Sequence, residues 1–314
     1  MLYIEQLGSG VPDAKVSVVE LRETLGLSES QVRLYTRFLG LDTIAVAREQ
    51  ELSDLLVAAG GQALAGIDPS SVRHVIHAYT LQYTPPPGRR LLDKVLRELG
   101  LGHASAFGVT HQNCVAGLYA LEVSRTLLQG APEDAKILVL TGDRIPEREV
   151  HTIPDTTIMG EAVSACVVGK DTRGHRVIGS STHVFGKFYQ CLALSDELNL
   201  EYKKFYPEGL TGVMRRVMSD TGYEGNDIAA VLPHNVNRMS WKKVLTDLGI
   251  PSDRIYLDNV PKLGHCFTAD PFINLRSARE SGRVRRGDIV LMVGAGLGAT
   301  FTATIVEIGE GVPG

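Results

Sequence analysis

A chain of 314 residues, 44% apolar and 22% charged, can bury a large core, which excludes disorder and fits one α/β unit or two fused halves. Its net charge of -4 supplies no general basic field, so nucleic acid and anionic membrane surfaces are excluded as main partners. The opening MLYIEQLGSG lacks the charged start and apolar stretch of a signal peptide. No apolar run reaches bilayer-crossing length, and a cytoplasmic location is expected. Four cysteines, Cys114, Cys166, Cys191 and Cys266, are too few and too widely spaced for a disulfide scaffold or a zinc ribbon. A special cysteine would be a catalytic thiol.

Strand-like and helical segments then alternate. HVIHAYT (74–80) reads as a buried strand, RRLLDKVLRELG (89–100) as an amphipathic helix and ASAFGVT (104–110) as a strand, followed by a long helix from Cys114 to Gln129. KILVLTG (136–142), AVSACVVG (162–169) and RVIGSSTHV (176–184) read as further strands. The theme repeats with a helix over 209–222, a strand DIAAVLPH (227–234) and a helix over 239–249. A short strand RIYLD (254–258), a helix over 271–281 and two closing strands, DIVLMVG (288–294) and FTATIVEI (301–308), complete it. This rhythm predicts two similar α/β halves, 1–172 and 173–314, packed as one body without a linker.

Cys114 opens a segment whose Val115, Leu118, Leu121, Leu127 and Leu128 mark a mostly buried helix ended by Gly130. A thiol at a helix N-terminus is favoured as thiolate, the form that attacks a thioester. The same residue also suits a small apolar place at a strand-to-helix turn. His234 ends a strand in PHNVNR and His265 lies in the loop LGHCFTADPF. Both occupy the strand-end or loop positions where active sites gather in α/β sheets, and a neutral imidazole there can act as base or donor. Asp270 before Pro271 reads first as a helix N-cap, and could also accept the Nδ1–H of His265 in a Cys-His-Asp relay. GAGLG (294–298) is followed by a strand pattern rather than a helix. That excludes a dinucleotide loop and suits a turn whose backbone N–H groups meet a thioester oxygen, carried by Gly294, Gly296 and Gly298. Arg215, Arg216, Arg238, Lys242 and Lys243 are candidates for a basic rim facing an acidic carrier protein or a phosphopantetheine phosphate. The alternative for each is a solvated helix face.

Four segments in order resemble the ketoacyl-carrier-protein synthase III family: YTRFLGLDTI, NCVAGLYALEVSRTLLQG with the later LTGDR, PHNVNR, and GDIVLMVGAGLGATFT. The resemblance implies a thiolase-like, duplicated five-layered αβαβα fold, a homodimer, and acyl-carrier-protein or coenzyme A thioesters as substrates, with no bound cofactor. It places His234 on the family histidine and assigns the oxyanion hole to the glycine turn and the nucleophile's own N–H. His265 and Cys266 stand where condensing members have Asn-Thr, and Arg33 stands in place of a tryptophan. A histidine followed five residues later by aspartate is similar to the divergent acyltransferase branch found in natural-product pathways. The expected function is therefore transfer of an acyl group through Cys114 to a hydroxyl, amine or carrier acceptor, with His265 and Asp270 as base and orienter. Decarboxylative Claisen condensation, with His234 and His265 as enolate donors, is the first alternative, and an inactive partner subunit is the second. The segments 80–88 and 144–158 are expected to line the acyl tunnel.

Overall fold

The computed structural model describes residues 1–81, 90–145, 150–190 and 193–310. Its strands are β1 (Leu2–Gly10), β2 (Ala14–Ser17), β3 (Thr43–Val46), β4 (Val72–Ala78), β5 (Ser105–Val109), β6 (Lys136–Thr141), β7 (Thr152–Ile153), β8 (Thr157–Ile158), β9 (Val163–Gly169), β10 (His175–Val184), β11 (Ile228–Pro233), β12 (Ile289–Gly296) and β13 (Thr300–Glu307). Its α-helices are α1 (Leu21–Leu25), α2 (Glu29–Arg33), α3 (Leu52–Ala63), α4 (Leu91–Glu98), α5 (Ala116–Leu127), α6 (Asp196–Thr221), α7 (Trp241–Asp247), α8 (Val260–Leu263) and α9 (Asp270–Glu280).

Nine strands form one sheet in the order β11-β12-β13-β10-β1-β9-β6-β4-β5. One succession of pairings occurs twice. β4 runs parallel to β6, which is antiparallel to β9 and through it to β1; β11 runs parallel to β12, which is antiparallel to β13 and through it to β10. The two sets join where Leu2 of β1 lies opposite Val177 of β10.

Helices α5 and α9 each touch strands of both sets, so they lie between them, while α3 covers the outer face of one set and α6 that of the other. This layering explains the composition of the strands. Those covered on both faces need apolar residues at every position, as in β9, where VSACVVG is buried throughout. An outer helix needs only a stripe, and α3 buries Leu55, Leu56, Ala59, Gly60 and Ala63. The central α5 comes so close to the loop before α9 that a Cβ on Gly117 would lie 2.7 Å from the Thr268 carbonyl oxygen. Among the described residues no helix is long and apolar enough to cross a membrane.

Three elements differ from the sequence expectation. The nucleophile helix begins at Ala116, because Asn113–Val115 form a 3-10 turn entered through Asn113 at φ 50°. The helix expected over 209–222 reaches back to Asp196, where the Ser195 side chain accepts the Leu198 N–H. Its first half is polar and contains Pro207, which hides the apolar period. RIYLD is no strand. Ile255 makes a single bridge to Val231 at the sheet edge before the chain turns into α8.

Candidate active site

Cys114 sits in the 3-10 turn between β5 and α5 and is 6% exposed. The turn is tied to the β12–β13 connection, since Asn113 Nδ2 donates to the Leu297 carbonyl. Gly296 permits this contact. A Cβ there would fall 2.3 Å from the Gln112 carbonyl oxygen and 3.3 Å from the Cys114 nitrogen. Gly294 and Gly296 lie on β12 itself, opposite Thr302 and Thr300, so the turn proper is Leu297–Ala299 with Gly298 at φ 135°. The expected glycine turn is thus a strand end plus a short turn, placed against the nucleophile's backbone. Cys114 packs with Met159 and Phe267, and Leu81, Ile145 and Ile153 lean on that cluster. These three belong to the segments expected to line the tunnel, of which 82–88 and 146–149 lie outside the described residues.

His265 and Asp270 are both buried, and His265 Nδ1 lies 2.5 Å from Asp270 Oδ2. Asp270 is the first residue of α9 and caps nothing, which corrects the N-cap reading. Its carboxylate instead receives the Asn235 N–H at 2.6 Å, the Asn235 Nδ2 at 3.1 Å and the Cys266 N–H at 2.9 Å. Asn274 in turn holds the Asn235 side-chain carbonyl at 2.9 Å. The His265 backbone is fixed through its N–H to Ile158 O and its carbonyl to Gly160 N–H. With Nδ1 on the carboxylate, the other imidazole nitrogen is left free of that contact, and the Cys114 sulfur is near enough to act on the charge of the ring. Burial alone would lower the His265 pKa. The negative Asp270 and the Cys114 sulfur outweigh it and push the imidazole up to about 10, so it is an imidazolium near neutral pH.

His234 has the opposite setting. Burial, and next the charge of His265, hold its pKa well below the usual histidine range, so it is neutral. Its Nδ1 accepts the Ala295 N–H at 3.1 Å, and its Nε2 lies 2.9 Å from the Tyr206 hydroxyl. The rings of His234 and His265 are 5.5 Å apart and nearly perpendicular.

Cys114, His234, His265 and Asp270 therefore converge, whereas the candidate rim residues are exposed on α6, on α7 and just before α7. Arg215 and Arg216 lie nine and ten residues beyond Tyr206 on α6, about 14 Å along the axis. Arg215 donates to the Asp247 carbonyl and Arg216 pairs with Asp220. Arg238 is held by the Phe38 and Arg37 carbonyls, and Lys242 and Lys243 are exposed on α7. Cys166 and Cys266 are buried thiols whose pKa values burial pushes well up, so both stay neutral; Cys191 lies outside the described residues.

Sequence reasoning missed Asn235, Asn274 and Tyr206. Asn235 adjoins His234 and carried a local signal. The other two carried none.

Asp143, in the Gly-Asp after β6, accepts the Leu81 N–H at 2.8 Å and the Thr80 N–H at 3.0 Å. Burial pushes its carboxyl up to about 7. Replacing it by alanine strands both donors and is expected to cost roughly 2–4 kcal/mol in urea unfolding, with Asp143→Asn recovering part of that. An unchanged midpoint in Asp143→Ala would mean that water replaces the carboxylate there.

A cysteine at the entry to a buried central helix, faced by two histidines in a doubled α/β sheet, belongs to the thiolase class of folds. Residues 218–308 match the family model for the C-terminal part of 3-oxoacyl-(acyl-carrier-protein) synthase III. A β-ketoacyl-(acyl-carrier-protein) synthase III of Rhizorhabdus wittichii is 28% identical, over 96% of this chain and 97% of its own. The synthase III of Aquifex aeolicus is 22% identical over 96% and 98%. Among solved structures, ChlB3, described as an acyltransferase, superposes with a TM-score of 0.85 at 22% identity over 99% of this chain and 98% of its own. The Aquifex aeolicus VF5 synthase III does so with 0.83 at 21%, over 98% and 100%. Residues 218–308 thus match the C-terminal part of the synthase III family model, and the chain as a whole has the fold of the solved synthase III structures.

Proposed function

We propose that the protein is an acyltransferase that carries an acyl group on Cys114 from a carrier-protein or coenzyme A thioester to a second substrate. The observation that supports this most is the buried His265–Asp270 contact of 2.5 Å, set beside the nucleophile in place of a neutral amide. The step begins with Cys114 as thiolate and His265 as imidazolium. The sulfur attacks the thioester carbonyl, and the Cys114 N–H with the Gly294–Gly298 backbone steadies the oxyanion. On collapse the carbon–sulfur bond of the donor breaks, and its thiolate leaves with the His265 proton. Acylation also removes the sulfur charge that helped to raise the His265 pKa, which lets the imidazole act as a base. The acceptor then gives its proton to His265 and attacks the carbonyl, and Cys114 departs as thiolate. Asp270 holds one tautomer of His265 throughout.

The relatives' names favour a second reading, a condensation in which a malonyl thioester loses carbon dioxide. Intact mass spectrometry with acetyl-, butyryl- and malonyl-coenzyme A, with headspace carbon dioxide recorded, separates the readings. Acyl transfer predicts an adduct on Cys114, no carbon dioxide, and an adduct that persists in His265→Ala. Carbon dioxide with a lengthened thioester means condensation, and no adduct with any donor means an inactive partner subunit.

A further inference from the structure

The hydrogen-bond network fixes the direction of every bond around His234. The Ala295 N–H can only donate, so His234 Nδ1 carries a lone pair. The ring is neutral, so its one hydrogen is on Nε2, and that hydrogen is spent on the Tyr206 oxygen 2.9 Å away. Tyr206 therefore accepts from His234 and keeps its own hydroxyl hydrogen to give. Among the described residues that hydroxyl makes no other hydrogen bond. Tyr206 stands in the partly buried stretch of α6, its ring stacked on His234, and burial first, then Tyr202 and the Cys114 sulfur, push the pKa of its phenol up. The phenol stays protonated.

We propose that the Tyr206 hydroxyl is the catalytic donor on this side of the site, binding the oxygen of the second substrate, and that His234 is its positioning residue. The inference rests on the acyl-transfer reading and adds the acceptor chemistry. An oxygen nucleophile has two lone pairs. One can receive the Tyr206 hydrogen while the other attacks the acyl carbon, and its own proton goes to His265. An amine nitrogen has a single lone pair, which must attack, so Tyr206 gives it no help. The same arrangement takes the His234 Nε2–H away from any enolate, because that hydrogen is already committed to the tyrosine.

The test separates loading from discharge. Wild type and Tyr206→Phe are loaded with acetyl-coenzyme A, and the loss of acetyl-Cys114 is followed by intact mass in water and with added propylamine. From positioning of the attacking oxygen, we expect loading within about threefold of wild type, discharge to water slower by at least about tenfold, and discharge to propylamine changed by less than about threefold. Equal slowing with both nucleophiles would make Tyr206 structural and overturn the inference, as would unchanged discharge to water. No adduct on the wild type overturns the acyl-transfer reading and the inference with it. An independent arm uses wild type alone. Imidazole 15N spectra should place the His234 proton on Nε2, and a proton on Nδ1 overturns the proposal whatever the kinetics.

Discussion

Cys114→Ala is expected to abolish the acyl-enzyme and to lower transfer on the order of 10^4-fold or more, while the fold survives. The other described thiols cannot take over. Cys266 is fully buried behind His265, its sulfur contacts the Leu263 and Gly264 carbonyls, and burial with the nearby Asp270 keeps it protonated. Cys166 lies inside β9, away from any solvent path. The structural cost of removing one sulfur from the Met159–Phe267 cluster is small, about 1 kcal/mol. Intact mass after incubation with acyl thioesters and a thermal unfolding curve check both halves of the expectation. An adduct that persists in Cys114→Ala would move the nucleophile elsewhere.

Asp270→Asn is expected to lower transfer by on the order of 10^2 to 10^4 and to change the pH dependence in a defined direction. The carboxylate receives four hydrogen bonds, from Asn235 twice, Cys266 and His265. An amide can accept at its oxygen only, and its NH2 then faces a donor, which costs stability as well as the His265 tautomer. In the wild type the folded-state pKa of His265 stands near 10, above the ordinary 6.5. A raised histidine contributes stability that is complete below 6.5 and is lost as pH climbs through about 10, because the folded state holds a proton the unfolded chain has released. Unfolding free energy from this source should fall between pH 7 and 10 in the wild type. In Asp270→Asn, where burial acts without the facing carboxylate, that slope should vanish and the alkaline limb of the loading rate should move to lower pH. Urea unfolding at pH 7 and 9, together with the pH profile of acetyl-Cys114 formation, measures both. An identical slope in the variant would show that Asp270 does not hold the His265 charge.

Much of this was legible in the residues. Fully apolar runs such as those of β6 and β9 can be stable only when covered on both faces, so they announced a layered α/β core without tertiary information. Cys114, His234, His265 and Asp270 stood at strand ends and helix starts, and short motifs marked them. What local pattern could not decide was which of its possible roles each residue takes. Asp270 read as a cap because Asp-Pro is a helix start, but the cap position fell on Ala269, and the packing of α9 against Asn235 and His265 turned the carboxylate inward.

Arg215 and Arg216 looked like the other basic side chains in sequence, and the length of α6 sets them about 14 Å from Tyr206 along its axis. Tyr206 is an ordinary aromatic in a polar stretch beside Pro207, with no motif around it. It becomes a neighbour of His234 only when α6 packs on the outer face of the sheet. The sequence by itself determined the alternation of elements and the residues able to do thiol chemistry, because these depend on local periodicity and side-chain type. Tertiary packing decided the tautomer and the partner of His234, because the groups that set them, Tyr206 and Ala295, lie 28 and 61 residues away along the chain.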